Sequence, residues 1–221
     1  MSAKLPIFIF GSQGPANFVE PLLSLLKHAP GDAHLTAFFQ LALDAIRNEV
    51  IEIKDAAELS VLPDISKFAS FTTLAKWHES NGYQNATVNG IILVVTQVAQ
   101  VVKAVTAIPA ARSAVFDPKA QFIGFCTGAI TAAALSVKTS SGWDIIRQGV
   151  EAIRLVFFIS FRSHQVAEKV LKESHLSDEE TLPWSYVLSG IGFEDATKLV
   201  AEFNETLVSL LGTVSLHVSL T

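Results

Sequence analysis

One cysteine, Cys126, stands among the 221 residues. A single thiol excludes a disulfide framework within the chain and any metal site built from several thiolates. It fits a reducing compartment, and a cytoplasmic location is the expectation. Charge is scarce, at 17% of residues, with a net charge of -5 and a sequence pI of about 5.7. No basic stretch occurs, so a phosphate backbone finds no electrostatic footing and no nucleic-acid partner is expected. Internal repeats and low-complexity tracts are missing too. No secretion signal is read, because the apolar run at residues 7–10 is too short and Gly11-Ser12-Gln13-Gly14 stops it.

What is present is apolar. Half the residues are hydrophobic, enough for a large core and against disorder. Residues 86–102 carry no charge, yet Thr87, Asn89, Thr96, Gln97 and Gln100 recur through them and Lys103 ends the run. A membrane span needs about 20 mostly apolar residues. The expectation is a buried helix of a soluble protein and no membrane partner, with a spanning helix as the alternative.

Along the chain, residues 6–10 read as a buried strand of a parallel sheet. Helical spacing follows at residues 17–26. Asp32 caps a long helix carrying Leu35, Phe38, Phe39, Ile46 and Val50. Leu62-Pro63 breaks that pattern, a short helix spans residues 71–78, and Pro109 ends the apolar helix. Asp117-Pro118 marks a turn before the strand-like run at residues 121–125. An alanine-rich helix and a long amphipathic helix at residues 143–172 follow. Residues 184–220 read as a compact strand-helix-strand module. The order suggests an α/β domain with a parallel sheet, joined to the start of a smaller layer.

Gly124-Phe125-Cys126-Thr127-Gly128 is the constellation with chemistry in it. A strand enters and a helix leaves, the layout of a nucleophile elbow. The turn is sharp and strained, and side chains at the flanking glycines would collide with the neighbouring strand and helix. The sulfur is held at the carboxyl end of the strand, where a helix N-terminus favours the reactive thiolate. The backbone N–H of Thr127 would face the oxyanion of an acyl transfer. The alternative is a buried structural cysteine. The loop Gly11-Ser12-Gln13-Gly14 would lie at the same sheet edge, where Gln13 could offer a second backbone donor; its alternative is an ordinary strand-to-helix turn. Cysteine acyl transfer calls for a histidine, but none of His28, His34, His78, His164, His175 and His217 carries a partner pattern.

Phe8-Ile9-Phe10-Gly11-Ser12-Gln13, Leu41 to Arg47, Ile123 to Gly128, Val150 to Arg154, Trp184 to Gly190 and Glu202-Phe203-Asn204 together resemble the starter-unit acyltransferase domains of fungal non-reducing polyketide synthases. The matches keep their order over nearly the whole chain. Cysteine in the elbow separates this group from malonyl transferases, which use serine.

The resemblance implies an α/β-hydrolase-like acyltransferase subdomain at residues 1–180, incomplete here, and the first part of an inserted ferredoxin-like subdomain at 181–221. It implies that Cys126 is the nucleophile, with Gln13 and Thr127 as oxyanion donors and Gly124 and Gly128 shaping the elbow. The acyl group would come from acyl-CoA or an upstream fatty acid synthase or reducing polyketide synthase. It would pass to the phosphopantetheine thiol of an acyl carrier protein, for the ketosynthase. No tightly bound cofactor and no metal is expected. Malonyl transferases carry an arginine on the long helix to pair the malonyl carboxylate. Aligning Glu151 to Val156 puts Ile159 there, so a buried carboxylate would lack its fork-shaped donor and an uncharged acyl group is expected. Arg162 lies one helical turn onward. The family's catalytic histidine follows the small subdomain, so the base is expected beyond Thr221. The rival readings are a thioesterase on the same elbow and a non-catalytic fragment.

Overall fold

A computed structural model describes residues 5–11, 18–55, 59–137, 140–174, 194, 195, 197, 198, 201 and 202. The chain divides into two compact units, Met1–Ser174 and His175–Thr221. In the second unit the described residues are helical, and Lys198 pairs with Glu202 at 3.9 Å. The expected strands at residues 184–191 and 214–220 lie outside the described residues.

The first unit is α/β, mostly helical, with a small parallel sheet. Strand β1 (Ile7–Phe10) leads to α1 (Val19–His28) and α2 (Ala33–Glu52). Then come α3 (Phe71–Ser80), α4 (Ala86–Ala107) and α5 (Pro109–Val115). Strand β2 (Gln121–Gly124), α6 (Gly128–Ser136) and α7 (Gly142–Ser174) complete it. Side-chain oxygens start four of the helices, among them α7, where Ser141 Oγ accepts from the Asp144 amide at 3.2 Å. Asp32 Oδ1 accepts from the amides of His34 and Leu35 at 2.9 and 3.1 Å, Ser70 from Thr73 at 3.0 Å, and Asn85 from Val88 at 3.0 Å. Each satisfies amides that the first turn leaves without an intrahelical partner. Burial pushes the Asp32 carboxyl up, but the Thr106 hydroxyl and the two amides outweigh it and hold the group below its usual range. Thr106 Oγ1 donates to Asp32 Oδ2 at 2.7 Å and so ties α4 to the cap of α2.

The apolar run at residues 86–102 is the centre of the core. Helix α4 is long and apolar enough to cross a membrane, but 72% of its most apolar window is buried against the other helices. A helix that is hydrophobic all round needs neighbours on every side. Here α1, α2 and α7 supply them. Gly149 of α7 makes a close approach: a Cβ there would collide with Val98 Cγ1 of α4 and meet Phe38 Cε2 of α2 at 3.2 Å. Pro109 does end α4, as its missing amide requires, and it also opens α5, a helix the sequence reading passed over.

β1 and β2 pair in parallel, with Ile7 opposite Gln121 and Phe10 opposite Gly124. Phe8 and Phe122 stack with ring centroids 5.1 Å apart and pack against the core, and Phe10 is buried. Ile7 and Ile9 point the other way and are 55% and 67% exposed. Residues 6–10 were expected to form a strand buried on both faces. Among the described residues helices cover one face of this sheet, so the strand alternates between core and solvent.

Candidate functional site

β2 ends at Gly124 and α6 begins at Gly128, leaving three residues for the reversal. Cys126 sits at the apex with φ of 51°, in the left-handed region that costs a residue with a side chain about 1–2 kcal/mol. Neighbouring hydrogen bonds hold it there. The amides of Gly128, Ala129 and Ile130 donate to the carbonyls of Phe125, Cys126 and Thr127 at 2.9, 2.9 and 3.1 Å. The Phe125 amide donates to the carbonyl of Phe10 at 3.0 Å and fastens the turn to β1.

Both flanking glycines are sterically required. A Cβ on Gly124 would fall on the backbone of Gly128 and Ala129. One on Gly128 would fall on the carbonyl oxygen of Gly11 and come within 2.5 Å of that of Phe10. Backbone atoms at a helix start and a strand end do not turn aside as side chains do, so neither position takes a side chain. The thiol so presented is exposed, and its sulfur lies 3.8 Å from the Thr127 hydroxyl.

A buried amide stands behind the turn. Gln97 of α4 is 5% exposed. Its Nε2 donates to the Gly11 carbonyl at 2.9 Å, and its Oε1 accepts from Thr131 Oγ1 of α6 at 2.7 Å. In the sequence Gln97 is only a polar interruption of an apolar helix. Its two partners lie 86 and 34 residues away, and no local pattern signals them.

Gly124, Cys126, Thr127 and Gly128 thus come together in one turn. Gln13 lies outside the described residues. Ile159 is on α7, 49% exposed, beside Phe158 and one turn from Leu155, both also exposed. One turn further, Arg162 Nη1 donates to Gln165 Oε1 at 2.7 Å, and its guanidinium carbon lies 5.4 Å from the Phe161 ring centre. Among the described histidines, His28 bonds the carbonyl oxygen of Ser24 at 2.7 Å and His34 packs on Trp143. His164 faces Glu168 at 3.8 Å. His78 is buried with its ring edge-on to Tyr83; burial lowers its pKa, and the Asn89 side chain opposes that shift in part. None of these four contacts involves the thiol. His175 and His217 lie outside the described residues.

Comparison with known proteins bears on the family of the chain. The profile of a family described as "Starter unit:ACP transacylase in aflatoxin biosynthesis" matches residues 8–219. "Non-reducing polyketide synthase PKS1" of Zymoseptoria tritici is 26% identical over 223 residues, covering 96% of this chain and 10% of that protein. "Conidial yellow pigment biosynthesis polyketide synthase melA" of Penicillium expansum is 26% identical over 203 residues, covering 92% and 9%. "Non-reducing polyketide synthase VdtA" of Byssochlamys spectabilis is 26% identical over 206 residues, covering 92% and 8%. The chain therefore spans about a tenth of the length of the curated relatives it matches.

Proposed function

The chain belongs to the starter unit:ACP transacylase family, and from that premise we propose that it loads starter acyl groups for a non-reducing polyketide synthase through Cys126. The observation that carries the reading is the exposed thiol at positive φ, between a strand end and a helix start, with a colliding glycine on either side. A structural cysteine would be buried and unstrained.

The thiolate attacks the carbonyl carbon of an acyl thioester, from acyl-CoA or an upstream acyl carrier. A C–S bond forms, and the carbonyl electrons move to oxygen. The amides of Gly128, Ala129 and Ile130 are already engaged in the turn, so the Thr127 amide is the donor assigned to that oxyanion. Gln13 is assigned as the second donor. Collapse expels the coenzyme A thiolate, which takes up a proton, and leaves the acyl group on Cys126. The phosphopantetheine thiol of the carrier protein gives up its proton, attacks the thioester and releases Cys126. Bond types on the two sides are the same, so transfer is nearly balanced. No tightly bound cofactor enters. The carrier protein and ketosynthase of the same synthase are the partners assigned. Residues 1–180 are assigned to an α/β-hydrolase-like subdomain and residues 181–221 to a ferredoxin-like one.

Ile159 supports an uncharged acyl group, since an aliphatic side chain offers no donor to a carboxylate. The Arg162 guanidinium bonds Gln165 and lies over Phe161. The test offers hexanoyl-CoA and malonyl-CoA with a phosphopantetheinylated carrier protein. Transfer of hexanoyl and not malonyl to the carrier is expected. Free hexanoic acid formed at the same rate with or without carrier would make the chain a thioesterase, and preference for malonyl would overturn the role of Ile159.

A further inference from the structure

We propose that Gln97 is a positioning residue for the elbow: its buried carboxamide is the strut that fixes the end of β1 against the start of α6. The inference rests on the reading of Cys126 as the acyl-carrying thiol, and it concerns a residue outside the turn.

The end of β1 meets the elbow and the α6 helix that continues from it, more than a hundred residues apart in sequence. β1 ends in Phe10 and Gly11. The elbow runs from Phe125 to Gly128, and α6 carries Thr131 one turn further on. Where β1 meets the elbow the contact is backbone on backbone. The Phe125 amide donates to Phe10 at 3.0 Å, and Gly128 lies close under the carbonyls of Phe10 and Gly11. The Phe125 bond holds this contact on the β2 side of the turn. Gln97 adds a second hold, on the α6 side. Its Nε2 grips the Gly11 carbonyl, and its Oε1 takes the Thr131 hydroxyl. Thr131 is fully buried and Gln97 is 5% exposed. Water does not compete for the buried Thr131 bond, and the Gly11 bond is shielded on the Gln97 side.

The position also makes sense of an otherwise costly choice. Val94, Val95, Val98 and Ala99, all buried, flank Gln97 along α4. A carboxamide in that setting is tolerated only when both its ends are satisfied. It offers a donor on one side and an acceptor on the other, which suits a carbonyl on the strand and a hydroxyl on the helix. Thr96, next in sequence and also buried, instead donates to Ile92 within its own helix at 2.7 Å. So the cross-element role belongs to Gln97 alone of this pair.

Displacement of the β1 end relative to the α6 start would misplace the thiol and the Thr127 amide with respect to each other and to Gly11. Acyl transfer depends steeply on such placement, by roughly 100-fold for an error of about 1 Å. Alkylation by iodoacetamide uses the same thiolate but builds no oxyanion, so it needs accessibility and not the donors.

The test compares the parent chain with Gln97→Met, which keeps length and shape without the polar bonds, and with Thr131→Val and Thr131→Ser. Two rates are read by intact mass: acylation by hexanoyl-CoA and alkylation by iodoacetamide. Amide hydrogen exchange is followed in residues 5–11 and 125–131, with residues 33–52 as the internal reference. In Gln97→Met, acylation should fall about 10- to 100-fold while alkylation keeps the parent rate. Exchange should rise in both segments and not in the reference. Thr131→Val should show the same pattern more weakly, and Thr131→Ser should restore it. Unchanged exchange in both segments, or equal loss of acylation and alkylation, overturns the proposal. A parent chain that takes no acyl group overturns the reading of Cys126 instead, and exchange then still decides whether Gln97 is the strut.

Discussion

At Gly149 and at Gly128 the backbone comes closer to its neighbours than a side chain would allow, yet the two regions differ in what stands in the way. Behind Gly149 are side chains, Val98 and Phe38, in a helical core that is apolar on every side. Behind Gly128 are the carbonyls of Phe10 and Gly11, and next to it an exposed thiol at φ of 51°. A methyl group in the core can turn or shift by tenths of an ångström. A backbone carbonyl moves only with its chain and cannot turn aside as a side chain does. The core is thus built for stability and has some room to repack, whereas the elbow is built for placement and has none.

Substitutions should separate the two regions. Phe157→Ala has the largest expected effect on stability. The ring is fully buried and stacked on Phe161, with centroids 5.7 Å apart, so its loss should cost about 3–5 kcal/mol. Chemical denaturation reads that cost, and acylation of the remaining folded protein should be unaltered. Gly128→Ala comes next, at about 1–3 kcal/mol with acylation lost. Its counterpart Gly149→Ala should cost less, because greater helix propensity, about 1 kcal/mol, offsets part of the crowding. Equal losses for the two glycine variants would erase the contrast between core and elbow.

Cys126→Gly should raise stability by up to about 1 kcal/mol while removing all acylation, because glycine adopts the left-handed region without strain. An unchanged or lower unfolding midpoint would show that the apex stores no strain. The smallest effect belongs to His78. Burial lowers its pKa in the folded chain, so the unfolded chain binds the proton first as pH falls. Stability should therefore decline below about pH 6.5, the ordinary histidine value. His78→Phe should flatten that decline in denaturant midpoints measured across pH, and an identical slope in both proteins would remove His78 as the cause.

Much of this contrast was legible in the residues. Helical spacing marked α2, α4 and α7, and Asp32 announced its cap. Both strands were read within a residue or two of their ends. G-x-C-x-G between a strand and a helix located the turn, because the steric demand for glycine is local. Other features were not local. Pro109 was read as a stop because its ring blocks the preceding helix, and its equal fitness for a first helical position was overlooked. The exposed faces of Ile7 and Ile9 depend on which face the helices cover. Gln97 looked like a flaw in an apolar helix, since its partners come from a strand end and a helix far along the chain.

The most direct measurement is the mass of the Cys126 peptide after brief incubation with hexanoyl-CoA and digestion at low pH, which preserves thioesters. A hexanoyl increment on that peptide, absent from Cys126→Ala, is the predicted result. An unmodified peptide from folded protein, or an increment that persists elsewhere in Cys126→Ala, would contradict the account.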